Sequence, residues 1–158
     1  MDKEKLSKLL AELKNKEVWD IRMDTSLGSI FSFEVGERIK IVKTGREYEG
    51  EYTFMIYCSY RILYKNKKLI ISSRAGENQF NRLKHVLSEL NGLKVIETEL
   101  SNTMDLKITF SKGITLEVIN DIYSSHVFDT NWFFRVGKQY YSVNDKLSII
   151  IENDTNKS

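Results

Sequence analysis

Histidine, cysteine and paired carboxylates are the side chains that do covalent or acid–base work, and this chain holds two histidines and one cysteine. His126 lies in "YSSHVFDTN" with Asp121 and Asp129 near it in sequence. A zinc centre needs three or four ligands, each oriented by further hydrogen bonds, and one imidazole among loop carboxylates falls short of that. His85 sits on the charged face of an amphipathic stripe, where a solvated side chain is expected. Cys58 falls within the apolar run "FMIYCSYR", a position for a small buried residue. A nucleophilic thiol would need an activating base, and neither histidine has a defined relation to it. Asp20 with Asp24, and Glu97 with Glu99, occupy the polar positions of alternating segments, so solvation explains them without a cleft or a raised pKa. "SSRAGEN" lacks the Lys and Gly spacing of a phosphate loop. The sequence thus predicts no catalytic residue, no metal ligand and no cofactor.

Binding chemistry has a better footing. Tyr48, Tyr52, Tyr57, Tyr60 and Tyr64 are interleaved with Arg46, Arg61, Lys65, Lys67 and Lys68. Such a mixture suits a protein interface, where Tyr, Trp and Arg carry the energy, or a stacking platform for single-stranded nucleic acid. Equally, half of these rings could be core or cross-strand pairs. Two longer connections, "KTGREYEGEY" and "NDIYSSHVFDTN", precede the aromatic segments, and loops carried on a sheet are favoured binding positions. The candidate binding residues are therefore Arg46, Glu47, Tyr48, Tyr60, Arg61, His126, Phe128, Asp129 and Trp132.

The elements that must position them follow from periodicity. Leu6, Leu9, Leu10 and Leu13 recur at helical spacing, with a stop near Asn15; Phe80, Leu83, Val86, Leu87 and Leu90 repeat the pattern before Asn91-Gly92. Trp19, Ile21 and Met23 alternate with charged residues as a half-buried strand. Further strands are expected at Leu27–Val35, then a turn at Gly36, then "RIKIVK". "EYTFMIYCSYRILY" reads as a strand that bends, and a turn at Lys65-Asn66 leads to "KLIIS". In the second half "KVIETEL", the hairpin "LKITFSKGITLEV", "NWFFRV", "QYYSV" and "KLSIII" read as strands.

Sliding the chain against itself by 77 residues matches Leu6 with Leu83, Leu10 with Leu87, Glu12 with Glu89, Leu13 with Leu90, Val18 with Val95, Phe33 with Phe110 and Gly36 with Gly113. One inserted residue shifts the offset to 78 and aligns Phe54 with Trp132 and Leu69 with Leu147. The expected architecture is α+β: two tandem helix-plus-antiparallel-strand units, 1–74 and 75–151, forming one pseudo-two-fold domain, with 152–158 a flexible tail.

Composition narrows the class. Apolar residues at 41% and charged residues at 29% fit a globular chain, and a net charge of +2 gives no global field toward nucleic acid or membrane. The N-terminal "MDKEKLSKLL" lacks the apolar core of a signal peptide, and no apolar run nears the roughly 20 residues of a membrane span, so a cytoplasmic location is expected. Proline is absent, leaving turns to Gly, Asn, Asp and Ser.

"LKITFSKGITLEV" followed by "DTNWFF" resembles small uncharacterised bacterial α+β domains, some of which are similar to toxin-immunity proteins. That resemblance, confined mainly to the second half, implies a non-enzymatic protein that binds and blocks another, and carries over no functional residue. The expectation is a cytoplasmic protein-binding, inhibitory protein of a bacterial or phage conflict system, monomeric or homodimeric, whose partner is a toxin or defence protein. The alternative is a nucleic-acid or nucleotide-binding module using a Tyr/Lys/Arg sheet face.

Overall fold

The structure, a computed structural model, describes residues 2–43, 45–121 and 130–154. Its helices are short. α1 (Lys3–Ala11) starts where the Asp2 carboxylate accepts the Lys5 N–H, and it buries Leu6 and Leu10. Beyond Ala11 the chain tightens into i→i+3 bonds, and Asn15, at φ 70°, ends it; asparagine tolerates that left-handed conformation. α2 (Phe80–Ser88) buries Leu83, Val86 and Leu87.

Eleven strands follow from the alternating segments among the described residues: β1 (Val18–Met23), β2 (Phe31–Lys43), β3 (Arg46–Ile56), β4 (Ser59–Tyr64), β5 (Lys68–Ser72), β6 (Val95–Leu100), β7 (Leu106–Phe110), β8 (Thr115–Ile119), β9 (Thr130–Val136), β10 (Gln139–Asn144) and β11 (Ile149–Asn153). They form a six-stranded sheet, β1-β2-β3-β9-β10-β11, and a five-stranded sheet, β5-β4-β8-β7-β6. All the pairings are antiparallel. The fold is thus mixed α+β and mostly strand. Each sheet takes strands from both halves of the chain.

The core is one continuous cluster joining Phe31, Phe33, Phe54, Phe134 and Trp132 of the larger sheet to Ile62, Leu106, Ile108, Leu116 and Val118 of the smaller. Fully buried side chains of this size contribute roughly 1.5–3 kcal/mol each, more than any cap or surface pair. α1 packs against β6, while α2 packs against β1 and β5.

The long aromatic segment does bend, and the bend takes it from one sheet to the other. After Ile56 the N–H groups of Tyr57 and Cys58 both donate to the Asn131 carbonyl, at 2.9 and 3.0 Å, and β4 continues in the smaller sheet. The fully buried Asn131 amide ties this corner together by donating to the Asp121 and Asn144 carbonyls at 3.1 and 3.2 Å.

Gly36 departs from expectation. β2 passes through it as a single strand with a bulge, and does not turn there. Its N–H donates to Glu17 O at 2.9 Å and its carbonyl accepts the Trp19 indole at 2.8 Å, which uses the groups a turn would have closed on itself. The aligned Gly113 does close a hairpin between β7 and β8, where Lys112 and Gly113 both have positive φ. β2 therefore runs on and pairs with β3, so "KTGREYEGEY" is mostly strand. Glu152 and Asn153, expected in the tail, belong to β11; 155–158 lie outside the described residues.

Where β1 and β6 begin, the two halves meet. Asn15 N donates to Val95 O and Gly92 N to Val18 O, both at 2.7 Å, while Val95 N donates to Lys16 O and Val18 N to Leu93 O, at 2.9 and 2.8 Å. Each pair of bonds exchanges under the 77-residue offset, about the Glu17–Lys94 bridge.

Candidate interaction surface

β2 and β3 extend past the body of the larger sheet as a two-stranded arm. On it Val42 is fully exposed, Ile39 is 47% exposed and Tyr48 39%. Lys40 lies across from Tyr48, and Ile39 across from Glu49. None of Ile39, Val42 and Tyr48 belongs to the core cluster, and the apolar area they leave in water is unfavourable at roughly 25 cal/mol per Å².

The root of the arm is fastened. Gly50, whose Cβ would collide with the Val35 and Tyr52 carbonyls, lets β3 pass close to β2. Its N–H donates to Glu34 Oε2 at 3.1 Å. Glu34, 3% exposed at its side chain, also accepts from Thr53 Oγ1 at 2.5 Å and pairs with the Arg46 guanidinium. Arg135, 5% exposed, donates to the Gly50 carbonyl at 2.8 Å and to Thr53 at 2.6 Å, and lies 3.8 Å from both Glu34 and Glu49. Asp20, held at φ 52° in the β1 bulge, contacts Arg22 and Arg46. Arg38 stacks over the Trp19 ring at 4.4 Å. On the other side Glu51 accepts the Glu37 N–H at 2.9 Å and pairs with Lys16 at 3.1 Å. The Glu37 N–H, helped by Lys16 and opposed by burial, holds the Glu51 carboxyl below its ordinary value.

Next to this cluster is the face of the larger sheet turned away from the core. Met55, Tyr57, Phe133 and Tyr140 lie on it half-buried, and Ile150 is exposed. Phe133 contacts Tyr57 at 6.2 Å and meets Tyr140 edge-on at 5.5 Å between centroids. Burial raises the pKa of both tyrosines, so they present neutral O–H groups at every ordinary pH.

The residues singled out from sequence separate into three groups. Arg46, Glu47 and Tyr48 stand on the arm, with Arg46 committed to Glu34 and Asp20. Tyr60 and Trp132 are core residues: the Tyr60 hydroxyl donates to Ser29 O at 2.6 Å and the Trp132 indole to Met104 O at 3.2 Å. Their burial withdraws both from any surface. Arg61 is on the outer face of the smaller sheet, bonded to Glu117. His126, Phe128 and Asp129 lie outside the described residues.

Around Arg61 a cleft of about 570 Å³ is lined by Glu99, Asp105, Lys107, Glu117 and Ile119. Its charges alternate across four strands in register, and Lys107 reaches Glu99 at 3.2 Å. Paired rows of this kind satisfy themselves and leave little for a ligand. The tyrosines do not form a stacking platform either. Tyr52 and Tyr60 are buried, and Tyr48, Tyr57 and Tyr64 stand on the arm, on the outer face of the larger sheet and at the end of β4.

Cys58 is buried, and burial, reinforced by Asp105 and Asp121, pushes its thiol up to about 12. Such a thiol is protonated and inert at neutral pH.

Glu34, Thr53, Arg135 and Asn131 were not legible as special in sequence. Glu34 and Arg135 each sit at an ordinary polar position of an alternating strand, and their burial comes from the arm and from strands far away in the chain. No family model, curated protein or solved structure matches this chain.

Proposed function

We propose that this protein is a non-enzymatic binding module that occludes a partner protein, engaging it through the β2–β3 arm and the adjoining outer face of the larger sheet. The observation that carries the reading is the arm itself: it exposes Ile39, Val42 and Tyr48 while its root is clamped by buried ion pairs. An apolar recognition element fastened at its root in the free protein lowers the ordering cost that weakens flexible binders. Tyr57, Phe133 and Tyr140 beside it supply the aromatic composition of interface centres. Action in the cytoplasm against a toxin or defence protein is the setting that fits the resemblance to immunity-like domains. We also read the chain as a doubled unit, a reading supported by the hydrogen bonds that exchange under the 77-residue offset.

The test is co-purification from the native host with the tagged protein and with the Val42→Glu and Tyr48→Ala variants. The expected result is one stoichiometric protein retained by the parent and lost from both variants, whose circular dichroism and Tm stay unchanged. Retention of the same protein by both folded variants would remove the arm from the reading.

A further inference from the structure

We propose that β11 is a self-association edge, through which two copies pair antiparallel across Ile150 and join their six-stranded sheets into one. This goes beyond the partner-binding reading and does not depend on it.

Four strands border the two sheets, and three of those borders are blunted. β1 is bulged at Asp20, which turns its backbone out of register at a positive φ and places a charge there. β5 begins at Lys68, is flanked by α2, and has its Ile70 carbonyl capped by Arg82 at 3.4 Å. β6 is bulged between Val95 and Glu97, carries Glu97 and Glu99, and is covered by α1. These are the ordinary devices that keep sheet edges from pairing. Among the described residues β11 has no bulge and no helix packed over it, and its one charged side chain is Glu152 near its end. Its sequence begins Ile149-Ile150-Ile151, with Ile150 45% and Ile151 43% exposed, and among the described residues its outer side pairs with no strand.

The hydrogen-bond pattern fixes which groups face outward. Asn144 N donates to Ser148 O and Asp154 N to Lys138 O, so the even-numbered residues of β11 direct their backbone groups to β10. Alternation in an antiparallel ladder then points the N–H and C=O of Ile149 and Ile151 away from the sheet. The strand is self-complementary in one register. Centred on Ile150, each isoleucine of one copy faces an isoleucine of the other: 149 opposite 151, 150 opposite 150, and 151 opposite 149. Ser148 then faces Glu152 at both ends. Shifting by two residues in either direction replaces two of the isoleucine matches. In the centred register Ile149 and Ile151 exchange their outward bonds, using the groups that the fold leaves over. On the outer face, the row Met55, Phe133, Ser142, Ile150 continues through Ile150 of the second copy.

Analytical ultracentrifugation across a concentration series measures this directly. The expected result is a mass rising from 18.5 kDa toward twice that value. Ile151→Pro removes only an outward N–H, which an edge strand tolerates, so this variant should keep its circular dichroism and Tm and stay monomeric. Ile150→Lys, which sets two ammonium groups face to face, should do the same and serves if the proline variant fails to fold. Ile150→Cys should form an intermolecular disulfide on mild oxidation, because residues facing each other in a non-hydrogen-bonded pair lie within disulfide reach; Leu69→Cys, on the other sheet, should not. A parent that stays monomeric at millimolar concentration, or a dimer that survives Ile150→Lys, overturns the proposal.

Discussion

At Cys58 the physics of a single side chain decides a functional question. Burial, with Asp105 and Asp121 nearby, pushes the thiol up to about 12, so the thiolate that would attack an electrophile is scarce at neutral pH. An aromatic disulfide reagent at pH 8 should leave the folded protein unlabelled for hours and titrate one thiol on addition of denaturant; rapid labelling of the folded protein would contradict the burial. That a small apolar residue belongs at this point was legible in sequence, because the surrounding run is apolar and β-prone. Tyr60 and Trp132 were not legible as core. An amphipathic ring reads equally well as a buried anchor or an exposed one, and what decides between them is a hydrogen-bond acceptor far away in the chain, Ser29 O or Met104 O.

The arm is the element on which the account turns, and its root makes two predictions. Glu34→Gln leaves Arg135 buried with a weakened counter-charge and should destabilise the protein by about 3–5 kcal/mol, the usual cost of breaking a buried pair, read as a lowered urea midpoint. Glu51 gives a pH signature. Its folded pKa lies below the ordinary 4.5, so the stabilisation is present above that value and is lost as pH falls through the folded pKa. Glu51→Gln should therefore lower Tm at pH 7 and flatten the decline of Tm below pH 4.5; a parallel decline in parent and variant would count against this role. Sequence alone placed β1, β4, the β7–β8 hairpin and both helices near their observed positions, because alternation and helical spacing are local; β3 begins at Arg46, inside a stretch expected to be a connection. Sequence also mistook Gly36 for a turn, since a bulge and a turn both ask for a positive φ. The difference lies in the Glu17 carbonyl and the Trp19 indole, which come from another strand.

On the scale of the whole molecule, the two halves share their sheets: β1, β2 and β3 pair onward to β9, β10 and β11, and β4 pairs with β8. A fragment of residues 1–74 would expose one side of β3 and of β4 and lose much of the continuous core, so it should be unfolded by circular dichroism, while the full chain melts in one cooperative transition. A folded 1–74 fragment would mean that the halves are independent units. The α+β class was legible from short connections and alternating strands, whereas the division into two sheets was not, because it depends on the corner at Tyr57-Cys58 and on the Asn131 carbonyl that makes it. Site-specific photo-crosslinking in the native host tests most directly whether the arm is a recognition surface. A benzophenone amino acid at position 42 or 48 should give one discrete protein adduct that the same probe at position 69 does not; no adduct at either arm position, or the same adduct at all three, would contradict it.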